Sequence, residues 1–207
     1  RENDLVVATH GRSIWVLDDL SPLEKLDATA AAADVTLFPV RAATLWYLRG
    51  RNWSAGQKLF VAPNPGYGAI LTYNLKSAVP AEEKKADKDM ASDADAKSAA
   101  KDATTKEGKA KISIYDKDNK LVREMDGPGA AGLNRTHWDL RSKAPSEPTP
   151  EQQEAMDAGY YEGPRGPRVD PGEYTVKVAA AGKTSEQKVV VEDDPRLNLS
   201  AQDRAAR

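Results

Sequence analysis

Two histidines and three short groups of acids are the residues that could perform acid–base or metal chemistry here. His10 and His137 are the only histidines in the chain. The acids are Asp18-Asp19, Asp193-Asp194 and the run DKDN at 116–119. Calcium loops interleave oxygen ligands with glycine over about a dozen residues, and none of these groups does so. We therefore interpret the acids as strand ends and turns and the histidines as surface or structural residues, and we expect no metal ion and no cofactor.

Other catalytic signatures are missing from the sequence. It contains no G-x-S-x-G elbow, P-loop or dinucleotide fingerprint. The lack of cysteine excludes disulfides, thiolate metal sites and cysteine nucleophiles. A glycosidase would need two carboxylates facing each other across a sugar, and no stretch of the sequence stands out as supplying them. We predict no catalytic residue within this chain.

Four aromatic residues are candidates for ligand binding. Exposed flat rings are the surfaces on which many modules stack sugars. The alternative is that these rings plug the ends of a small β-fold or pack a linker against it. Both interpretations remain open from sequence. The candidates, all in irregular segments, are Trp46, Trp53, Tyr160 and Tyr161.

Charge and hydropathy exclude some classes of partner. The 207 residues hold 30 basic and 32 acidic side chains, a net charge of −2, so no basic surface is expected for nucleic acid or an anionic membrane. No apolar run approaches the roughly 18 residues of a membrane-spanning helix. The length allows one large or two small domains with a real core.

Two segments, GLNRTHWDLR at 132–141 and DPGEYTVKV at 170–178, each predict a turn that feeds a β-strand. In each, apolar residues alternate with polar ones, which is typical of a strand with one buried face. The short alternating runs at 69–75, 111–115, 121–125 and 186–192 predict further strands, mostly in hairpins. We expect the core to contain Leu71, Ile112, Ile114, Trp138, Leu140, Tyr174 and Val176, with tight turns at Gly132 and Gly172.

The motifs N-x-x-x-W-D and P-G-x-Y-x-V in these segments resemble bacterial immunoglobulin-like sandwich modules of the flagellar-hook-cap type. The resemblance covers about residues 111–192 and implies an immunoglobulin- or fibronectin-III-like antiparallel β-sandwich, which is usually a scaffold. Leu140 stands where that pattern usually has glycine. This departure favours a generic sandwich over a flagellar assignment.

Residues 4–19 predict a hairpin whose two strands are apolar at consecutive positions, so that they need cover on both faces. The run T-H-G-R-S-I-W-V-L-D-D at 9–19 resembles the last blade of a β-propeller of the BNR or sortilin-like (VPS10-type) kind. Proteins of that kind are large and secreted by bacteria. The resemblance implies an upstream propeller in the same chain as partner and a secreted or periplasmic location.

The predicted fold class is therefore mainly β, and the chain is expected to be a piece of a longer protein. We predict a last propeller hairpin at 1–20, a linker with a short helix and an irregular aromatic segment at 21–68, a sandwich at 69–194 and the start of a truncated helix at 195–207. A low-complexity segment at 80–109 interrupts the sandwich. It is charged and almost without large apolar residues, so we interpret it as a disordered insertion in a loop.

These observations predict a non-catalytic structural or interaction module beside a secreted propeller. One alternative is a carbohydrate-binding accessory module of a BNR-repeat glycoside hydrolase, with polysaccharide as the partner. Another is part of a sortilin-like receptor that binds protein. In the first alternative, the parent protein is a hydrolase whose active site lies outside these residues.

Overall fold

The structure, a computed structural model, describes residues 3–11, 14–47, 66–80, 108–157, 163–197 and 203. It is mainly β, with 45% strand and 12% helix. None of the described helices is long and apolar enough to cross a bilayer. The strands are β1 (Leu5–Ala8), β2 (Ile14–Leu17), β3 (Val35–Leu37), β4 (Ala43–Leu45), β5 (Ala69–Leu75), β6 (Lys109–Tyr115), β7 (Leu121–Pro128), β8 (Gly132–Trp138), β9 (Gly172–Ala180) and β10 (Lys183–Asp193), and the helices are α1 (Ser21–Glu24), α2 (Ala28–Ala32) and α3 (Pro150–Asp157).

The strands form three sheets. β1 and β2 pair alone as an antiparallel hairpin, as predicted. A five-stranded sheet has the order β4-β10-β9-β6-β7, and a three-stranded sheet has the order β3-β5-β8. The pairings are antiparallel except for β4, which lies parallel to β10. The six strands expected between residues 69 and 192 are all present, as β5 to β10.

The two larger sheets share one hydrophobic core. Alternate residues of β5 and β8 meet alternate residues of β6, β9 and β10, as period-two strands with one buried face require. The rings of Trp138 and Tyr174 meet edge to face, with centroids 5.3 Å apart. The predicted core is confirmed, because Leu71, Ile112, Ile114, Trp138, Leu140, Tyr174 and Val176 are all buried.

Residues of the N-x-x-x-W-D motif, together with the glycine just before it, form three local contacts or turns. The side-chain amide of Asn134 donates from its Nδ2 to the carbonyls of Ala130 (2.7 Å) and Gly132 (3.0 Å), which closes the turn at the start of β8. Gly132 has φ +93°, a backbone region that glycine adopts most easily. At the other end the indole Nε1 of Trp138 donates to the Arg141 carbonyl, 3.0 Å away. The motif therefore builds the strand and both of its ends.

The conformation and burial of Leu140 explain how a leucine can stand where the hook-cap-type pattern usually has glycine. Its backbone has φ +55°, in the left-handed region, where a residue with a Cβ costs about 1–2 kcal/mol. Its side chain is fully buried, which contributes roughly 1.5–3 kcal/mol for a leucine. The position therefore has the backbone conformation that suits glycine, and burial offsets the cost of the leucine.

The predicted linker contributes to both large sheets. β3 pairs with β5, and β4 pairs with the end of β10. The predicted short helix is present as α1, which begins at Ser21 and has Leu20 as its N-cap. A second helix, α2, begins after Asp27, whose carboxylate accepts from the Ala30 amide (2.7 Å).

The charged insertion lies mostly outside the described residues, which stop at 80 and resume at 108. Its two ends meet in the fold. The Gly108 amide donates to the Val79 carbonyl (2.8 Å), and the Val79 amide donates to the Gly129 carbonyl (2.8 Å). The insertion therefore leaves from and returns to one point on the sandwich. Of the predicted C-terminal helix at 195–207, only residues 195–197 and 203 are described.

Candidate functional site

The β1–β2 hairpin exposes apolar side chains on both of its faces. Successive side chains of a strand point to opposite faces, and here every residue of both strands is exposed. Large exposed apolar surfaces mark interaction sites. The seven large side chains, each 39–71% exposed, are Leu5, Val6, Val7, Ile14, Trp15, Val16 and Leu17.

Arg135 of β8 attaches the base of this hairpin to the three-stranded sheet. Its Nη1 donates to the Asp18 carbonyl (2.7 Å) and its Nη2 to the Asp19 carbonyl (3.1 Å). Its Nε donates to the Thr72 hydroxyl of β5 (3.2 Å). A planar guanidinium presents several donors in a fixed geometry, so two nitrogens of this side chain hold the hairpin base while the third is bound to β5.

The acids at this base have structural contacts. Asp19 is buried, and its backbone amide donates to the Asp4 carboxylate (2.9 Å). Asp4 also lies 3.6 Å from the Arg41 guanidinium. The Leu20 amide donates to the Asn3 carbonyl (2.8 Å), which joins the two ends of the hairpin.

The second acidic pair is also engaged. The Asp194 carboxylate is buried and accepts from Nε of Arg196 (2.8 Å) and from the Tyr47 amide (3.0 Å). Hydrogen bonds from Arg196 hold the pKa of this carboxyl well below its usual range. Among the described residues, no three of His, Asp and Glu lie close enough together to hold a metal ion.

A cavity lined by four arginines lies where β8 ends. We call it the arginine pocket, and its volume is about 590 Å³. Among the described residues, the lining holds four arginines and one aspartate, which gives it a formal charge of +3. The lining residues are Tyr67, Arg123, Asp139, Arg141, Pro164, Arg165 and Arg168.

Backbone pairing brings these distant residues together. Arg141 and Arg168 face each other in an isolated antiparallel bridge. The Ser142 amide donates to the Pro167 carbonyl (3.0 Å) beside it. Gly166 lies so close to this segment that a Cβ would be 2.1 Å from the Ser142 carbonyl oxygen, so only glycine fits there. The segment 163–169 thus forms one wall and the end of β8 the other.

The arginines are oriented by carbonyls and rings around the pocket. Nη1 of Arg141 donates to the Gly166 carbonyl (2.8 Å). Nη1 of Arg168 donates to the Trp46 carbonyl (3.2 Å), and its guanidinium carbon lies 4.8 Å from the centroid of the Tyr47 ring. Arg123 pairs with Asp139 (3.3 Å), the one acid among the described lining residues. A guanidinium has five N–H donors, so the bonds of Arg141 and Arg168 to described residues each use only part of that capacity.

Tyr67 adds a buried hydroxyl to the pocket. Its oxygen is shielded from solvent and has no hydrogen-bond partner within the described parts of the chain. Burial raises the pKa of this phenol, while the nearby charges of Arg168 and Arg141 act in the opposite direction. The hydroxyl therefore remains protonated near neutral pH, as a hydrogen-bond donor beside a cationic cluster.

Of the four aromatic candidates, the structure describes one. Trp46 is partly exposed, and the Arg196 guanidinium lies over its ring at 5.3 Å from the centroid. Trp53, Tyr160 and Tyr161 lie outside the described residues. Sugar binding by these rings stays a prediction.

The arginine pocket has no signature in the linear sequence. Its arginines are spread over residues 123–168, and no motif connects them. The feature of the sequence that comes nearest to indicating a cationic site is the pair Arg165 and Arg168 in the loop before β9. The balanced overall charge gives no reason to single that pair out. His137, the other candidate of this region, is half-buried, and burial and then Arg135 lower its pKa.

Comparison with models of protein families, with curated proteins and with solved structures finds no match for this chain.

Proposed function

We propose that this chain is a non-catalytic structural and interaction module whose β-sandwich carries the last hairpin of an adjoining β-propeller of the BNR or sortilin-like kind. The observation that carries the proposal is the β1–β2 hairpin, which exposes apolar side chains on both faces while its base is fastened to the sandwich. The secreted or periplasmic location is part of the same proposal.

Exposure on both faces favours a propeller over other partners. A lone two-stranded hairpin is marginal in water, so this one needs a partner to be stable. A sandwich or a docked helix would cover one face. A propeller packs each blade between two neighbours, so both faces and one edge of the hairpin would be covered.

The Arg135 attachment gives the sandwich its role. Two hydrogen bonds from the Arg135 guanidinium hold the hairpin base to β8, and a third joins the same guanidinium to β5. A propeller that contained the hairpin would therefore be oriented relative to the sandwich. This is how a scaffold module fixes the position of its neighbour.

An immunoglobulin-like identity is proposed for the sandwich. Two sheets around one core support it. A second support is Tyr174, near the start of β9, whose hydroxyl donates to the Asp170 carbonyl four residues upstream (2.8 Å). Immunoglobulin-type sandwiches have a comparable tyrosine corner.

A pair of matched substitutions tests the proposal. Val6 in the hairpin is 60% exposed and Val190 in β10 is 46% exposed, so a lysine at either site should change the stability of the 207-residue chain by no more than about 0.5 kcal/mol. In the native protein, Val6→Lys should be destabilising by about 2 kcal/mol or more, because it buries an unpaired charge, whereas Val190→Lys should remain neutral.

The melting temperatures of both variants are measured in the 207-residue chain and in the native protein. The intact mass of the native protein is measured as well. A native protein in which Val6→Lys is as harmless as Val190→Lys would contradict the proposed docking. A native mass equal to the 22.4 kDa of this chain would exclude a propeller in the same polypeptide.

A further inference from the structure

We propose that the arginine pocket binds a small organic polyanion, whose carboxylate or phosphate oxygens are held by Arg141, Arg168 and the Tyr67 hydroxyl. The inference is independent of the hairpin and of the propeller proposed above. It assigns a ligand site to a module that is otherwise structural.

The charge of the pocket supports an anionic ligand. Its described lining gathers four guanidinium groups around one carboxylate, for a formal +3, in a chain whose overall charge is −2. Like charges held close together repel, and the repulsion is stronger where water is partly excluded. An anionic ligand would remove that repulsion.

The donor geometry also suits an anion. Arg141 and Arg168 oppose each other across the bridge between their backbones. Each uses one terminal nitrogen for a carbonyl, at Gly166 and Trp46 respectively. These bonds fix the side chains, and within the described part of the chain each guanidinium keeps further N–H groups. A pre-oriented guanidinium fork matches the paired oxygens of a carboxylate or phosphate.

Tyr67 supports the same ligand chemistry. A buried hydroxyl without a partner is unfavourable, and native folds rarely contain one without a reason. Tyr67 lines the same cavity as the arginines, and its hydroxyl has no partner among the described residues. An anionic oxygen in the pocket would accept from it.

The size of the cavity argues for a small molecule. A volume of about 590 Å³ falls within the range of roughly 300–1,000 Å³ that small-molecule sites occupy. Recognition of a nucleic-acid backbone would instead need an extended basic surface, which the balanced composition does not favour. Citrate and inorganic pyrophosphate are suitable probes, since they present the two oxyanion chemistries at this scale.

Isothermal titration calorimetry of the full 207-residue chain at low ionic strength tests the proposal. We expect saturable binding of citrate, of pyrophosphate or of both, and none of glucose, a neutral control. Binding of citrate alone would identify a carboxylate site, and binding of pyrophosphate alone a phosphate site. Absence of binding by both anions at millimolar concentration would overturn the proposal.

Three variants separate the pocket from general charge attraction. Arg141→Lys keeps the charge and loses the fork, and should weaken binding about tenfold or more. Tyr67→Phe should weaken binding by a similar factor while leaving the melting temperature of the free protein unchanged or slightly higher, because it removes a buried hydroxyl that has no partner among the described residues. Lys183→Gln, at the exposed start of β10, should leave the affinity unchanged. Affinities equal to that of the parent chain in all three variants would refute the assignment. A loss of affinity in Lys183→Gln as large as in Arg141→Lys would refute it as well.

Discussion

Replacing Trp138 with alanine tests the register on which the packing of the two larger sheets depends. Trp138 ends β8 opposite Ala69 of β5, and its side chain is fully buried between the two large sheets. A one-residue slip of β8 would turn the indole to the other face of the sheet. The stability of the alanine variant therefore reports directly on the pairing.

The structure sets the expected magnitude. Removal of a buried tryptophan side chain typically costs about 3–5 kcal/mol of unfolding free energy. The indole also makes an edge contact with Tyr174 and a hydrogen bond to the Arg141 carbonyl, each worth roughly 0.5–1.5 kcal/mol. Part of these values is already contained in the first figure, so we expect the upper half of that range, about 4–5 kcal/mol.

Urea unfolding followed by far-ultraviolet circular dichroism is the assay. With a slope of about 2–3 kcal/mol per molar urea, the expected loss lowers the unfolding midpoint by roughly 1.5–2.5 M. Trp15→Ala is the matched control, because Trp15 is 66% exposed in the hairpin. We expect that variant to change stability by no more than about 0.5 kcal/mol.

Similar, small shifts of the midpoint in Trp138→Ala and Trp15→Ala would refute the proposed register. If the alanine variant does not fold, Trp138→Phe takes its place, since phenylalanine retains a ring but loses the indole N–H. It should still fold with a lowered midpoint. A phenylalanine variant as stable as the parent would contradict the role of the bond to Arg141.

Three further predictions concern the insertion, the hairpin base and alkaline stability. Deletion of residues 82–107 should change the melting temperature by less than about 2 °C, because Gly108 and Val79 already meet through a hydrogen bond and loop length has little effect on stability; a large fall would mean that the segment packs on the sandwich. Arg135→Gln should speed amide hydrogen exchange in β1 and β2 but not in β9, and unchanged exchange in the hairpin would argue against the attachment. Burial raises the pKa of Tyr73 to about 12. The stabilisation that the protonated Tyr73 contributes should therefore be complete below pH 10 and lost as the pH rises toward 12. In Tyr73→Phe the melting temperature should fall less over that interval, and an equal fall would assign the loss of stability to other groups.

The strands and the core could be predicted from local sequence pattern. Ile112, Trp138 and Tyr174 each lie in a run that alternates apolar and polar residues, and a strand with one buried face needs only that alternation. The hairpin at 4–19 was predicted from a different local pattern, two short runs of consecutive apolar residues on either side of a turn. Such signals are carried within a few residues, so the remainder of the fold is not needed to detect them.

Other features depended on residues that are far apart in the chain. β4 was missed because it has three residues and takes its place only by lying parallel to β10, almost 150 residues later. The φ of +55° at Leu140 arises where the chain must turn while its side chain stays in the core. Neither feature has a local pattern strong enough to predict it.

The sequence by itself determined a β-rich fold, the residues of its core and the positions of most turns, because alternation and turn chemistry are local properties. Only the tertiary structure decided that Arg135 fastens the hairpin and that four arginines converge beside Tyr67. Arginines at positions 123, 141, 165 and 168 are ordinary surface residues in a linear reading. The pairing of the end of β8 with the segment before β9 makes them neighbours, and that pairing is set by the packing of the whole sandwich.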